Sequence, residues 1–179
     1  MPPPAAPKAN ILRRFRRNRR GSAAVEFAMV APIFFGLLFA IIELAMVFFA
    51  SQVLETATQD SARMIMTGQA QTAKFSQSQF KNLVCGNIVA LFDCVNGISI
   101  DVQSYKAFDS VDIKDPIDAD TKEFVPPNNY LPGGPGDIVV VRVFYKWPLF
   151  VTGLGFNIAN VGNSERLLTA TAAFQNEPY

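Results

Sequence analysis

The sequence contains no histidine, and only two cysteines and one tryptophan occur among its 179 residues. Histidine is the commonest general base in enzymes, so its absence disfavours most acid–base catalysis. Two cysteines without further ligands do not make a zinc site. No nucleophile motif or phosphate-binding loop is present. We therefore expect no catalytic, metal or cofactor site, with paired carboxylates among the 15 acidic residues as the remaining alternative.

Acidic residues are missing from the first twenty positions, which carry seven of the 16 basic residues. Six of these seven are arginines between positions 13 and 20. The remainder has nine basic and 15 acidic residues, so a basic end precedes an acidic body. This asymmetry favours orientation in a membrane. A nucleic-acid-binding arm is the alternative, and the apolar segment directly after the arginines argues against it.

An apolar segment runs over residues 22–50 and is interrupted only by Glu26 and Glu43. As a helix, its part from residue 22 to Glu43 rises roughly 32 Å at about 1.5 Å per residue, close to the thickness of a bilayer's hydrocarbon core. The segment is too long for the apolar core of a cleaved secretory signal. By the positive-inside rule, we expect residues 1–21 in the cytoplasm and the rest outside.

The junction between the arginines and the apolar segment has an informative pattern. A carboxylate at the centre of a bilayer costs about 2.5–3.5 kcal/mol on insertion scales, so Glu26 needs a reason. If the peptide bond after Gly21 were cut, Ser22 would carry a new α-ammonium group and Glu26 would be the fifth residue of the mature chain. Its carboxylate could then pair with the amine of a neighbouring subunit. Gly21 suits a scissile position because it has no side chain to obstruct a protease.

The junction, Pro32 and Glu43 each allow more than one interpretation. An uncleaved signal anchor, with Glu26 in the headgroup region, also explains the junction. Pro32 cannot donate a hydrogen bond to Ala28, so we expect a kink or a loosened turn there. Glu43 falls near the outer headgroups, where a carboxylate costs little, and a subunit contact is one hypothesis for it.

The helical pattern continues past the membrane segment. Small and apolar residues recur at three- and four-residue steps, at Val47, Ala50, Leu54, Ala57, Ser61 and Met64. We therefore predict a continuation of the helix over residues 51–68 that ends at Gly68 and packs on the protein's own core, with packing against a neighbouring molecule as the alternative. A second helix is predicted from Ser76 to Phe92, with Ser76 and Gln79 as a capping box.

Three strands are predicted after the second helix, over residues 98–102, 137–147 and 168–174, because apolar and polar residues alternate or valine and aromatics dominate. An antiparallel sheet that covers the outer half of the long helix makes the fold α+β. Cys85 and Cys94 lie on the exported side of the apolar segment and predict a disulfide.

Residues 107–136 are polar, rich in proline and glycine, and contain six acidic residues. Alternating acids can bind calcium, but the spacing and the glycine of an EF-hand are missing. We expect a solvated loop, whose length suggests a surface used for contact with a partner.

The pattern of basic leader, glycine, glutamate at the fifth mature position and apolar helix is that of type IV prepilins. More specifically, the sequence resembles the TadE-like pseudopilins of the tight-adherence (Tad, or Flp) pilus systems. The residues that carry this resemblance are Gly21, Ser22, Glu26, Phe27, Pro32 and Glu43, then Ala57, Ala62, Arg63 and Gly68, and, near the C-terminus, 145–150 and 174–179. Residues 106–136 carry no motif of the family.

The resemblance implies a pilin-like fold and a minor pilin of the inner membrane, matured by a prepilin peptidase at the Gly21–Ser22 bond. Such subunits help to start or stabilise a fibre of the shorter major pilin and support surface adherence. The implied partners are the peptidase, the major Flp-type pilin, other pseudopilins and the inner-membrane assembly platform, with no nucleic acid. The residues expected to serve assembly are Glu26, Phe27, Pro32 and Glu43.

The implied organisation has four parts: a removed cytoplasmic leader over 1–21, a transmembrane helix over 22–50, its periplasmic continuation over 51–68 and a periplasmic α+β domain over 69–179. An uncleaved inner-membrane anchor that scaffolds the pilus secretion machine is the nearest alternative. A membrane-tethered hydrolase or binding module is the alternative from another class.

Overall fold

The computed structural model describes residues 21–88, 92–152 and 157–179. In chain order the elements are α1 (Ser22–Met66), α2 (Gln69–Thr72), α3 (Gln77–Asn87), α4 (Cys94–Gly97), β1 (Ile98–Tyr105), a 3-10 turn (Phe108–Ser110), β2 (Ile138–Pro148) and β3 (Glu165–Gln175). A long apolar helix, shorter helices and a three-stranded antiparallel sheet confirm the predicted α+β class. The chain divides into two compact units, residues 1–39 and 40–179.

In the first unit, helix α1 begins at Ser22 and exposes its apolar side chains to the surroundings. Phe27 is 67% exposed and Ile33 is 64% exposed. The helix continues through Pro32. Within the described residues, α1 is the one helix long and apolar enough to cross a membrane. The predicted arginine-rich leader covers residues 1–21, of which residues 1–20 lie outside the part of the chain that the structure describes.

In the second unit, the rest of α1 forms one side of the core. The buried residues of the helix recur at helical spacing and are Glu43, Val47, Ala50, Leu54, Ala57, Thr58, Ser61, Ala62 and Ile65. The hydroxyl of Thr58 donates to the carbonyl oxygen of Leu54 at 2.7 Å, so this polar side chain is satisfied inside the core. The predicted intramolecular core is confirmed with one difference at its end. Met64, which the pattern included, is only half-buried, and its neighbour Ile65 is fully buried instead.

The sheet has the order β1-β2-β3, and both pairs of neighbouring strands are antiparallel. Alternate residues of the central strand β2, including Val139, Val141 and Val143, share one hydrophobic cluster with Leu54 of α1 and Phe80 of α3. Because side chains of a strand alternate between its faces, this pattern assigns one face of the sheet to the helices.

The other face of the sheet is also covered. Phe144 is fully buried there, and Ile117 and Phe124 from the acidic stretch pack against its cluster. The rings of Phe124 and Phe144 lie 5.5 Å apart. The six acidic side chains of residues 107–136 are exposed, as predicted for a solvated loop. Two apolar residues of this stretch nevertheless pack on the outer face of the sheet.

Helix α1 ends where the C-terminal residues pack against it. Gly68 has a φ of 74°, a left-handed conformation that favours glycine. A side chain on Gly68 would overlap the ring of Tyr179. The backbone N–H of Glu177 donates to the carbonyl oxygen of Met66 at 2.9 Å. The predicted stop at Gly68 is therefore confirmed, and a close approach of the chain end accompanies it.

Helix α3 confirms the predicted start of the second helix and corrects its end. The hydroxyl of Ser76 accepts the N–H of Gln79 at 3.3 Å, and the N–H of Ser76 donates to the Gln79 side chain at 2.8 Å. The predicted extension to Phe92 is wrong, because Ile88 has extended backbone angles and the helix ends at Asn87. Phe92 instead packs edge-on to Tyr145, with ring centroids 4.7 Å apart.

The predicted disulfide between Cys85 and Cys94 is confirmed. It joins α3 to α4, directly before β1, and its Cα atoms lie 5.8 Å apart. A loop this short contributes at most about 3 kcal/mol in the chain-entropy account of crosslinks. The bridge therefore fixes how the chain passes from the helices into the sheet.

Candidate functional site

The predicted cleavage junction is open at the start of α1. Gly21 and Ser22 are both exposed. A side chain added at Gly21 would meet nothing within 4 Å among the described residues, so the fold itself does not require glycine there. A requirement for glycine at this position would have to come from an enzyme that binds the backbone closely.

Glu26 lies one helical turn after the junction, and its side chain is exposed. The hydroxyl of Ser22 donates to Oε1 of Glu26 at 3.0 Å. No cation among the described residues pairs with Glu26. The structure thus brings Gly21, Ser22 and Glu26 together within one turn, and leaves the carboxylate with a neutral local donor.

The two other predicted assembly residues of this segment, Phe27 and Pro32, are also exposed. Their side chains belong to the apolar surface of α1. Neither is buried by other described residues in the way that the core side chains are. The structure therefore places them where a lipid chain or another apolar helix would make contact.

Glu43, the fourth predicted assembly residue, has different surroundings, because it is only 9% exposed. Its carboxylate accepts hydrogen bonds from the backbone N–H groups of Phe150 and Val151. Both carboxylate oxygens lie 3.1 Å from the nitrogen of Val151. Glu43 therefore ties the chain that follows β2 to α1. Its predicted contact with another subunit stays a prediction.

A buried ion pair on the outer face of the sheet was not predicted from the sequence. Asp101 and Arg142 are opposite each other in the β1–β2 register. Nη2 of Arg142 lies 2.6 Å from Oδ2 of Asp101, and their side chains are 6% and 1% exposed. Arg142 also donates to the carbonyl oxygen of Lys114 at 2.8 Å, and Asn129 donates to Asp101 at 2.8 Å. The pair therefore holds the acidic stretch on the sheet.

This pair left a weak signal in the sequence. Asp101 stands in an alternating apolar strand, and Arg142 interrupts a run of valines. Charged residues at such positions are seldom fully buried unless they are paired. Only the strand register shows that these two residues face each other.

A second polar cluster holds the turn before β2. Oδ2 of Asp137 accepts the N–H of Gly134 at 2.9 Å, and Nζ of Lys106 lies 2.7 Å from Oδ1. These two interactions, the Gly134 N–H first, hold the pKa of Asp137 below its ordinary value. The buried amide of Asn176 donates to the carbonyl oxygens of Pro132 and Gly134, each at 3.0 Å.

Two of the exposed acids of residues 107–136, Asp115 and Asp118, accept local backbone N–H groups and so cap turns. Oδ1 of Asp118 accepts the N–H groups of Thr121 at 2.8 Å and of Asp120 at 3.0 Å. These backbone hydrogen bonds lower the pKa of Asp118. Within the ranges that the structure describes, no group of three or more cysteine, aspartate or glutamate side chains is arranged to hold a metal ion.

Comparison with known proteins points to the start of α1. The sequence model of the TadE-like protein family matches residues 21–63. The match begins at the glycine of the predicted cleavage junction and includes Glu26 and Glu43. It confirms the resemblance over these residues, which make up less than half of the chain. No curated protein and no solved structure matches the chain.

Proposed function

We propose that this chain is a pilin-like subunit of a Tad-type pilus, cleaved after Gly21 by a prepilin peptidase and assembled through Glu26. The observation that carries the proposal is the match of the TadE-like family to residues 21–63. That match starts at an exposed glycine, which the fold of the chain itself does not require.

The proposed location is the inner membrane, with a single span, a cytoplasmic N-terminus and a periplasmic C-terminal domain. The candidate spanning helix α1 follows six arginines directly, and such residues stay on the cytoplasmic side of a membrane. The disulfide between Cys85 and Cys94 is typical of an oxidising compartment such as the periplasm.

The proposed assembly contact joins the amine of Ser22 in one subunit to the carboxylate of Glu26 in another. Cleavage would create this amine, and it would lie at the edge of the hydrocarbon, where water screens charges less than in solution. Glu26 has only the Ser22 hydroxyl as a described partner, so its carboxylate is available for a cation. The partners of the subunit would be the major Flp-type pilin, other pseudopilins and the assembly platform. The role of the subunit would be to support pilus assembly and adherence.

The N-terminal sequence and intact mass of the protein from membranes test the cleavage. With an active prepilin peptidase, we expect a chain that begins at Ser22, and without the enzyme a chain that keeps its arginines. Gly21→Arg should abolish processing because the arginine side chain obstructs close approach to the backbone. Gly21→Ala serves as the matched control of small volume and should be processed more than Gly21→Arg. A chain that stays intact beside an active peptidase would instead support the uncleaved anchor.

The recovery of the subunit in sheared pili tests the role of Glu26. We expect Glu26→Ala to be processed normally and to be largely lost from the fibre, because the new amine has no carboxylate partner. Glu26→Gln is the matched control that keeps size and hydrogen bonding but removes the charge. If Glu26→Gln assembles like the unaltered protein, the proposed ion pair is wrong.

A further inference from the structure

The most exposed of the described large apolar side chains belongs to Phe150, directly after β2. Phe150 is 84% exposed, while its neighbour Leu149 is 9% exposed and packs in the main core. The N–H of Leu149 donates to the carbonyl oxygen of Ser164 at 3.2 Å. The backbone is therefore held on the folded domain, with Leu149 directed inward and Phe150 directed outward.

Glu43 sets the level of Phe150 along α1. Its carboxylate accepts the N–H groups of Phe150 and Val151, so these two residues lie beside the helix at Glu43. The neighbours of Glu43 in the helix are apolar and open to the surroundings, because Ile42 is 49% exposed and Leu44 is 42% exposed. The backbone of Phe150 thus lies at a level of the helix where apolar side chains are exposed.

The apolar surface of α1 ends shortly after this level. Phe49, at 54% exposed, is the last large apolar side chain of α1 that is exposed, among those the structure describes. The helical rise from residue 22 to Glu43 is roughly 32 Å, about the thickness of the hydrocarbon core. Phe150 therefore lies near the depth where the hydrocarbon would give way to the outer headgroups.

We propose that the segment Leu149–Thr152 rests on the outer surface of the lipid bilayer and inserts the side chain of Phe150 between the lipids beside α1. The inference rests on the membrane topology of the proposed function and adds a lipid-contact site in the folded domain. Lipid is the occupant we favour because Glu43 holds the backbone of the exposed Phe150 beside the candidate spanning helix, at a level where that helix also exposes apolar side chains. The ring of phenylalanine has no polar group, so it suits the acyl-chain side of the boundary between headgroups and acyl chains.

This arrangement gives Glu43 a positioning role. Backbone N–H groups that are enclosed between a helix and other groups lose their water partners and must be satisfied by the protein. Glu43 supplies the acceptor for two such groups, while they in turn satisfy a carboxylate that is almost fully buried. The presence of an acidic residue in an apolar segment is thereby explained within a single chain.

Spin labels on single cysteines test the lipid contact in the full chain, reconstituted in vesicles of phosphatidylethanolamine and phosphatidylglycerol. The two native cysteines are joined in a disulfide, so an introduced cysteine is the one free thiol. The probes are Phe150→Cys, Phe34→Cys as the control within the helix, and Phe108→Cys as an exposed aromatic of the acidic stretch. The measured quantity is the ratio of collisions with oxygen, which dissolves in lipid, to collisions with a water-soluble nickel chelate.

We expect a label at position 150 to give a ratio several-fold above that at position 108 and approaching that at position 34. A ratio at position 150 equal to that at position 108, beside a lipid signature at position 34, would overturn this inference alone. Loss of the lipid signature at position 34 would contradict the membrane topology of the proposed function. The label at position 150 could instead be shielded from both reagents and show spin–spin broadening that disappears when unlabelled protein is added. This result would identify a second copy of the chain as the occupant and would overturn the proposal.

The same label tests the role of Glu43. Glu43→Ala in the Phe150→Cys chain should increase the mobility of the label and lower its oxygen-to-nickel ratio toward that at position 108. Glu43→Gln should keep most of the ratio, because its amide oxygen still accepts N–H groups. The fluorescence of Trp147, the one tryptophan, reports whether each variant stays folded. An unchanged ratio in a folded Glu43→Ala chain would refute the positioning role.

Discussion

The two compact units of this chain satisfy their side chains in different ways. Over residues 21–39, large apolar side chains are exposed, and the one polar contact between side chains joins Ser22 to Glu26 within a single turn. Over residues 40–179, the apolar side chains form a core, and polar contacts join residues far apart in sequence, such as Asp101 and Arg142.

Apolar side chains therefore have two kinds of surroundings in this chain. The first unit leaves its large apolar side chains uncovered by the rest of the described chain, whereas the second buries its own. Substitutions of the same type should therefore destabilise the second unit strongly and the first hardly at all. Three predictions follow this comparison, and the fluorescence of the buried Trp147 in detergent reports unfolding in each.

The largest effect is expected for Arg142→Ala. Removal of one partner from a buried ion pair leaves an uncompensated charge, here that of Asp101, and costs about 3–5 kcal/mol. The free energy of unfolding of the detergent-solubilised chain in urea measures this cost.

Lys146→Ala is the matched control in the same strand, because Lys146 is half-exposed and lies 3.5 Å from Glu165. Exposed pairs of this kind contribute about 0–1 kcal/mol. Equal losses for the two variants would mean that burial does not govern the contribution of these pairs.

An intermediate and selective effect is expected for Leu54→Ala, because Leu54 is fully buried in α1. Such a truncation leaves a cavity and costs about 2–5 kcal/mol. Phe34→Ala removes a larger side chain from the same helix, but Phe34 is 57% exposed, so the stability of the folded domain should be unchanged. A comparable loss in Phe34→Ala would show that the first unit contributes to the stability of the second.

The smallest effect concerns the dependence of stability on pH. The pKa of Asp137 is lowered from its ordinary value of 3.8 by the N–H of Gly134 and by Lys106. A lowered pKa in the folded state stabilises the protein above the pKa of the unfolded state, and this stabilisation is lost as the pH falls through the folded value. Asp137→Asn should therefore be less stable than the unaltered chain at neutral pH and should approach it below about pH 3.8. A constant difference across that range would contradict this account.

Local sequence patterns predicted much of this fold because their physical causes are local. The left-handed Gly68 after the end of α1, the capping box at Ser76 and the disulfide between Cys85 and Cys94 depend on residues that are close in sequence. The predicted end of the second helix was wrong because it depends on a contact between residues that are far apart in sequence. Apolar spacing alone does not distinguish a helical face from a residue such as Phe92, which packs on a distant strand.

The candidate site divides in the same manner. Gly21, Ser22 and Glu26 could be proposed as a site from the sequence because they lie close together in the chain. The partners of Glu43 were not identified, because Phe150 is 107 residues away in the chain. The ion pair of Asp101 and Arg142 likewise depends on the register of two strands.

The sequence by itself determined the apolar helix, the asymmetry of charge at its start and the α+β class, because periodicity and charge act over one or two turns. The tertiary structure alone decided which acidic residue stays open and which is enclosed. Glu26 and Glu43 interrupt the same apolar segment, yet only Glu43 receives two backbone donors from a distant part of the chain. A buried carboxylate requires such donors, and only the folded chain brings them to it.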